Sequence, residues 1–229
     1  MSKRARILAS LFLVAVVVSC VPNTPQSPEP TPSPAPSATR KPSATVTVPP
    51  TPMALGLYRA PEVPDSFIAE SDIWGIPIIS DPSQASLYLE LVSAGNKATI
   101  ASRTTWIYAL VAPFPTVTDG VTLTELKAAW SASSSGSLAG SPLWMTESTL
   151  AAYTALWGEP ASDAVKTAPD DELTDSLWNN QSSWGILPFE ALEPKLKVLT
   201  VDGQSPINND FEADTYPLKV EFALRSIGP

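Results

Sequence analysis

The chain lacks histidine altogether and has a single cysteine among its 229 residues. Without histidine it can form neither a Ser-His-Asp nor a Cys-His catalytic set, and it cannot form a histidine-rich metal site. The nucleophile motifs G-x-S-x-G and S-x-x-K are missing as well. A single cysteine also excludes a disulfide within the chain. The sequence therefore predicts a protein that is not an enzyme and that needs neither a cofactor nor a metal.

Basic residues are scarce beyond the first 53 positions. Residues 54–229 carry nine Lys or Arg against 22 Asp or Glu, a net charge of −13. A surface of this charge repels a phosphate backbone, so nucleic acid is excluded as a partner. The same charge disfavours lying flat on an anionic lipid surface.

The N-terminus has the pattern of a secretory signal. Lys3, Arg4 and Arg6 precede an apolar run over residues 7–18, which is shorter than the roughly 20 apolar residues that cross a bilayer core. We therefore predict a signal peptide over residues 1–19. The run closes on Val-Val-Ser-Cys20, which resembles a bacterial lipobox. The resemblance implies that Cys20 is acylated and anchors the protein to the extracytoplasmic face of a bacterial cell membrane. The alternative is an ordinary secreted protein with a stray cysteine.

A proline-rich segment follows this signal. Residues 21–53 contain eleven of the 25 prolines and no aromatic residue. Such a composition cannot bury a core and favours extended polyproline II structure. We predict that residues 20–53 form a tether that can hold the remaining domain, residues 54–229, up to about 100 Å from the bilayer.

Short apolar strands alternate with helical patterns in residues 54–229. One helix should begin after the capping box Thr122-Leu123-Thr124-Glu125, another should begin at Glu147 and stop at Gly158, and a third should follow Pro169. This alternation predicts an α/β fold. The clearest strands are predicted at residues 76–80, 87–92, 105–112, 141–146 and 184–189.

The order of these elements resembles a known family. "TTWIYALVAPFPTVTDGVTLTELKAAWS" (residues 104–131) and "SSWGILPFEALEPKLKVLTVDG" (residues 182–203) are similar to segments of type II periplasmic solute-binding proteins of the phosphate-binding kind. "LEPKLKVLTVDGQSPINNDF" (residues 192–211) also resembles the region before the metallophosphoesterase domain of CapA-like capsule-biosynthesis lipoproteins. The resemblance implies a periplasmic-binding-protein-like fold with two small lobes, each a mixed sheet flanked by helices.

The resemblance also implies a ligand between the lobes, held by hydroxyls and backbone N–H groups at helix starts. The matching helix start is Thr146-Glu147-Ser148-Thr149, where Glu147 departs from the family's Ser-Gly-Thr pattern and would repel an anion. Arg103 is the candidate cationic anchor, since arginine grips carboxylates and phosphates with two hydrogen bonds. Its alternative role is a surface ion pair. Gly185 lets the backbone approach a neighbouring lobe or a ligand, or else marks a tight corner with no ligand nearby. The candidate ligand-binding residues are Arg103, Thr104, Thr146, Ser148, Thr149, Trp184 and Gly185.

Two functions from different classes agree with these observations. The first is a membrane-anchored extracytoplasmic lipoprotein that binds a small polar solute or oxyanion for uptake by a transporter or for sensing. The second is a non-catalytic interaction module that docks on capsule or surface-polymer machinery of the poly-γ-glutamate type. A cleft with converging polar groups would favour the first, and an exposed apolar patch would favour the second.

Overall fold

The structure is a computed structural model, and it describes residues 55–71, 75–92, 100–133, 136–138 and 140–226. The predicted signal peptide, the lipidation site Cys20 and the tether lie outside these residues. No helix among the described residues is long and apolar enough to cross a membrane.

The sheet is organised around one long strand, β4, which runs for 14 residues. The first half of β4 pairs antiparallel with β10, and its second half lies between the antiparallel neighbours β8 and β9. The strand order is β2-β1-β3-β10-β4-β8-β6-β7, with β9 beside β4 and β5 beside β9. The strands are β1 (Leu57–Arg59), β2 (Ile78–Ile79), β3 (Leu87–Leu91), β4 (Ile100–Pro113), β5 (Gly120–Val121), β6 (Leu143–Met145), β7 (Val165–Thr167), β8 (Trp184–Pro188), β9 (Leu196–Val201) and β10 (Lys219–Ser226).

Both ends of this sheet contain parallel pairs. Strand β1 is parallel to β2 and β3, and β6 is parallel to β7 and β8. The central strands are antiparallel, so the sheet is mixed, and the two ends form two small lobes that share β4. The predicted α/β fold with mixed sheets and flanking helices is confirmed.

Four helices flank the sheet: α1 (Asp65–Ser71), α2 (Leu123–Trp130), α3 (Glu147–Trp157) and α4 (Asp170–Asn179). The last three begin where the sequence predicts. The Thr122 side chain accepts a hydrogen bond from the Glu125 backbone, and the reciprocal bond to the Thr122 N–H completes the capping box and holds the pKa of the Glu125 carboxyl below its ordinary value. Helix α3 ends at Gly158, whose positive φ of 86° favours glycine.

The hydrophobic core is continuous between the two lobes. Its larger cluster includes Leu57 and Phe222 from one lobe and Leu143 and Tyr153 from the other. Tyr153 also forms an edge-to-face contact with Tyr108, with ring centroids 5.5 Å apart. Trp130 of α2 and Tyr153 of α3 therefore belong to the core rather than to a ligand site.

The glycine of the "WGILP" corner packs against a helix. Strand β8 is buried along its whole length, and a Cβ on Gly185 would lie 2.7 Å from Leu177 Cδ1 of α4. The strand ends at Pro188, and a short 3-10 turn at Phe189–Ala191 leads towards β9. The close approach that Gly185 permits is thus to α4 of the same lobe.

Candidate functional site

A cleft opens where three strand-to-helix connections meet. The β1–α1, β6–α3 and β7–α4 connections surround a cavity of about 380 Å³. This volume falls within the usual range for small-molecule sites. The lining residues are Arg59, Pro61, Val63 and Asp65 from the first connection, Thr146, Glu147 and Ser148 from the second, and Thr167, Ala168, Pro169 and Asp170 from the third.

The local sequence explains why polar groups collect there. Strands β1, β6 and β7 end at Arg59, Met145 and Thr167, and the chain then leaves the sheet and starts a helix. Residues at the carboxyl ends of strands of an α/β sheet face the crevice in which ligands of such folds bind. The cleft is therefore built from the positions where this architecture usually carries its function.

Arg59 supplies the cation of the cleft. It forms an ion pair with Asp65 and donates a hydrogen bond of 3.4 Å from Nη1 to the Val63 carbonyl oxygen. Its side chain is 34% exposed, so the guanidinium is held at the wall but stays accessible. Among the described residues that line the cleft, Arg59 is the only lysine or arginine.

Hydroxyl groups form the floor at the start of α3. Thr146 Oγ1 lies 3.1 Å from Ser148 Oγ and 2.9 Å from Thr149 Oγ1, and it accepts a hydrogen bond of 3.2 Å from the Thr149 backbone N–H. Thr146 is 5% exposed and Thr149 is completely buried. Ser148 and Thr146 thus reach the cleft, whereas Thr149 lies behind them and positions Thr146.

Tyr108 of β4 lies next to this hydroxyl cluster. Burial raises the pKa of the Tyr108 hydroxyl well above its ordinary value, and the neighbouring Thr149 hydroxyl lowers it by less. Tyr108 is therefore a neutral group at physiological pH, and it adds no charge behind the cleft.

Helices α3 and α4 start at the cleft in different ways. Thr146 caps α3 through its side chain, whereas α4 begins after Pro169 with no side-chain cap hydrogen bond. The first backbone N–H groups of an α-helix have no partner inside the helix, and they favour an anionic group. The Glu172 N–H donates to the Pro169 carbonyl oxygen at 3.1 Å, so the N–H groups of Asp170 and Asp171 are the donors left for water or for a ligand.

Carboxylates surround these donors. Asp65, Glu147 and Asp170 all line the cleft and are exposed. With Arg59 as the one cation, the lining residues carry a net charge of −2. The cleft therefore offers hydrogen-bond donors to an anionic group within a negatively charged surround.

The structure brings some of the predicted site residues to the cleft and places others elsewhere. Thr146 and Ser148 line it, and Thr149 supports them. Trp184 and Gly185 lie in β8 and are buried in the core. Arg103 and Thr104 lie on the exposed part of β4, where Arg103 Nη1 is 3.9 Å from Glu221 Oε2. Arg103 thus adopts the surface ion pair that was its alternative role.

Arg59 and Thr167 are lining residues that the sequence prediction missed. Both end a strand of only three residues, and so short a strand gives little periodic signal. The signal that could have revealed Arg59 is its position in "LYRAPEVPD", where a basic residue follows an apolar pair and precedes two prolines. Among the described residues, no group of three or more Cys, Asp or Glu side chains could hold a metal ion.

Comparisons with known proteins support the fold. No family model matches the sequence, and no curated protein matches it. The structure resembles an ABC-type phosphate transport receptor from Vibrio cholerae, with a TM-score of 0.56 and 11% sequence identity over 74% of this chain and 85% of that one. It also resembles a putative phosphate ABC transporter substrate-binding protein from Clostridium perfringens with bound phosphate, with a TM-score of 0.53 and 11% identity over 76% and 86% of the two chains. The chain therefore has a periplasmic-binding-protein-like α/β fold.

Proposed function

We propose that this protein is a membrane-anchored extracytoplasmic lipoprotein whose α/β domain binds a small polar solute for uptake or sensing. The solute would lie in the cleft between the β1–α1, β6–α3 and β7–α4 connections. Cys20 would hold the protein on the membrane, and residues 20–53 would serve as the tether.

The position of the cleft is the observation that carries this proposal. Arg59, Thr146, Ser148 and the start of α4 come from separate parts of the chain, yet they converge on one cavity. Convergent polar groups in a cavity of this size are typical of small-molecule sites. Two structures of similar fold are described as phosphate-transport proteins, which supports a role in solute binding.

A thermal-shift screen tests the proposal. The full-length protein, purified in detergent, is heated with phosphate, sulfate, molybdate, each of the common amino acids, short γ-glutamyl peptides or sugars. A ligand at about 100 times its Kd adds roughly 2.7 kcal/mol to the free energy of unfolding. At this chain length such a gain raises Tm by about 5 to 11 °C. A panel without any shift, on protein shown to be folded and free of carried-over ligand, would contradict solute binding.

Two arginine variants locate the site. Arg59→Gln should abolish the shift in Tm, because Arg59 lines the cleft. Arg103→Gln is the control and should keep the shift, because Arg103 also pairs with a carboxylate but lies away from the cleft. Loss of binding in Arg103→Gln alone would place the ligand on the exposed part of β4 instead.

Labelling with radioactive palmitate tests the anchor. The parent protein should incorporate the label in bacterial cells, and Cys20→Ala should not. Absence of label in the parent protein would contradict the lipid anchor and would indicate an ordinary secreted protein.

The second candidate function is an interaction module that docks on surface-polymer machinery. The connection between β4 and β5 favours it, because Phe114 is 66% exposed and Val117 is 92% exposed. Contiguous exposed apolar surface marks protein interaction sites, and these two side chains are three residues apart in one short connection. If no solute shifts Tm, a photoreactive residue at position 117 should crosslink to a membrane or surface-polymer protein on intact cells. The same probe at position 124, on the exposed side of α2, is the control and should not capture that protein.

A further inference from the structure

The charges of the cleft restrict the class of solute that it can take. Of the charged residues that line it, Arg59 is positive, whereas Asp65, Glu147 and Asp170 are negative. Arg59 is already paired with Asp65. Among the described residues, no ion pair involves Glu147 or Asp170. Two carboxylates therefore face the cavity without a cationic partner from the described part of the chain.

A free oxyanion satisfies only half of this site. The donors of Arg59, Thr146 and Ser148 suit an anionic group, but the carboxylates of Glu147 and Asp170 repel it. A purely cationic solute satisfies the carboxylates and leaves the donors of the cleft without a charged partner. A molecule that carries both charges can pair with both sets.

The volume of the cleft agrees with a solute larger than a tetrahedral oxyanion. A cavity of about 380 Å³ holds the equivalent of roughly a dozen water molecules. An inorganic anion at the helix starts would leave much of that volume filled by water. A solute with a carbon skeleton would fill more of it and would separate its charged ends across the cleft.

We infer that the solute is a zwitterion of the amino-acid class, with its carboxylate on Arg59, the hydroxyls and the start of α4, and its ammonium group between Glu147 and Asp170. This inference rests on the proposed function, since it names the substrate class of the same cleft. It differs from the expectation of an inorganic oxyanion, which the resemblance to phosphate-binding proteins raised.

Binding of matched ligands to the full-length protein in detergent tests the inference by isothermal titration calorimetry. The best amino acid from the thermal-shift screen is compared with its N-acetyl derivative, which lacks the cation, and with its amide, which lacks the anion. Inorganic phosphate, which carries only negative charge, and putrescine, which carries only positive charge, are the references. Loss of either charged end should weaken binding by about 10- to 100-fold, the equivalent of one charge-assisted hydrogen bond.

Variants of the carboxylates connect the effect to the cleft. Glu147→Gln and Asp170→Asn should each weaken binding of the amino acid by about tenfold. Each variant should also reduce the difference in affinity between the amino acid and its N-acetyl derivative. Asp171→Asn is the matched control, because Asp171 lies in the same first turn of α4 but does not line the cleft. If Asp171→Asn weakens binding as much as Asp170→Asn does, the assignment of the ammonium group to Asp170 is overturned.

The remaining outcomes separate this inference from the proposed function. If phosphate, putrescine or the N-acetyl derivative binds as tightly as the amino acid and Arg59→Gln abolishes that binding, the cleft is a solute site but the zwitterion is wrong. If no compound of the panel binds, both the inference and solute binding are contradicted.

Discussion

Replacing Gly185 with alanine should destabilise the protein through a clash that the structure measures. The added Cβ would lie 2.7 Å from Leu177 Cδ1, and it would lie 3.2 Å from both Leu177 Cδ2 and Val111 Cγ2. Leu177 and Val111 have no exposed surface, so neither side chain can move into solvent. Overpacking of a buried site costs about 1 to 3 kcal/mol, and at this size that lowers Tm by roughly 2 to 12 °C.

Urea unfolding followed by tryptophan fluorescence measures this change, and Gly56→Ala is the control. A Cβ at Gly56 would approach the end of Ile79 at 2.8 Å, but Ile79 is only half-buried and can move away. The free energy of unfolding should therefore fall less in Gly56→Ala than in Gly185→Ala.

A double-mutant cycle identifies the clashing partner. In a Leu177→Ala background the cost of Gly185→Ala should fall by at least about 0.5 kcal/mol, because the two residues interact directly. If Gly185→Ala is neutral or stabilising, alanine's advantage over glycine in a strand, about 0.5 to 1 kcal/mol, outweighs the clash and the reasoning is refuted.

Two further predictions concern a helix cap and buried tyrosines. Thr122→Ala should lower the free energy of unfolding by about 1 kcal/mol through loss of the capping box. Thr124→Ala, in the first turn of the same helix, is the control and should not lower it. Equal losses of the two variants in urea unfolding would contradict the role of the cap. Burial raises the folded-state pKa of Tyr108, Tyr153 and Tyr216, so their contribution to stability is complete below pH about 10 and is lost as the pH rises. In a variant that carries Tyr58→Phe and Tyr88→Phe, the absorbance at 295 nm should therefore change only with unfolding, and a titration that precedes unfolding would show that the three tyrosines are accessible.

The position of the arginine that lines the cleft is a feature that the sequence alone does not predict. The sequence offers Arg103 as the cationic anchor because an arginine can grip a carboxylate or a phosphate with two hydrogen bonds. The register of β4 against β10 places Arg103 opposite Ala223, and the Arg103 side chain is 56% exposed. Arg59, at the end of a three-residue strand, reaches the cleft because β1 pairs with β2 and β3. Strand pairing decides this difference, and it depends on residues far apart in the sequence.

The sequence alone determined the features that depend on neighbouring residues. The caps of α2 and α3, the start of α4 after Pro169 and the buried strand β8 follow from spacing and residue type, and the α/β class follows from their order. The tertiary structure decided what depends on long-range pairing: the short strands β1 and β7, the packing of α4 against Gly185 and the convergence of Arg59, Thr146 and Asp170 on one cleft. Local propensity acts within a few residues of the chain, whereas a binding cleft is made by the contacts between elements that bury the core.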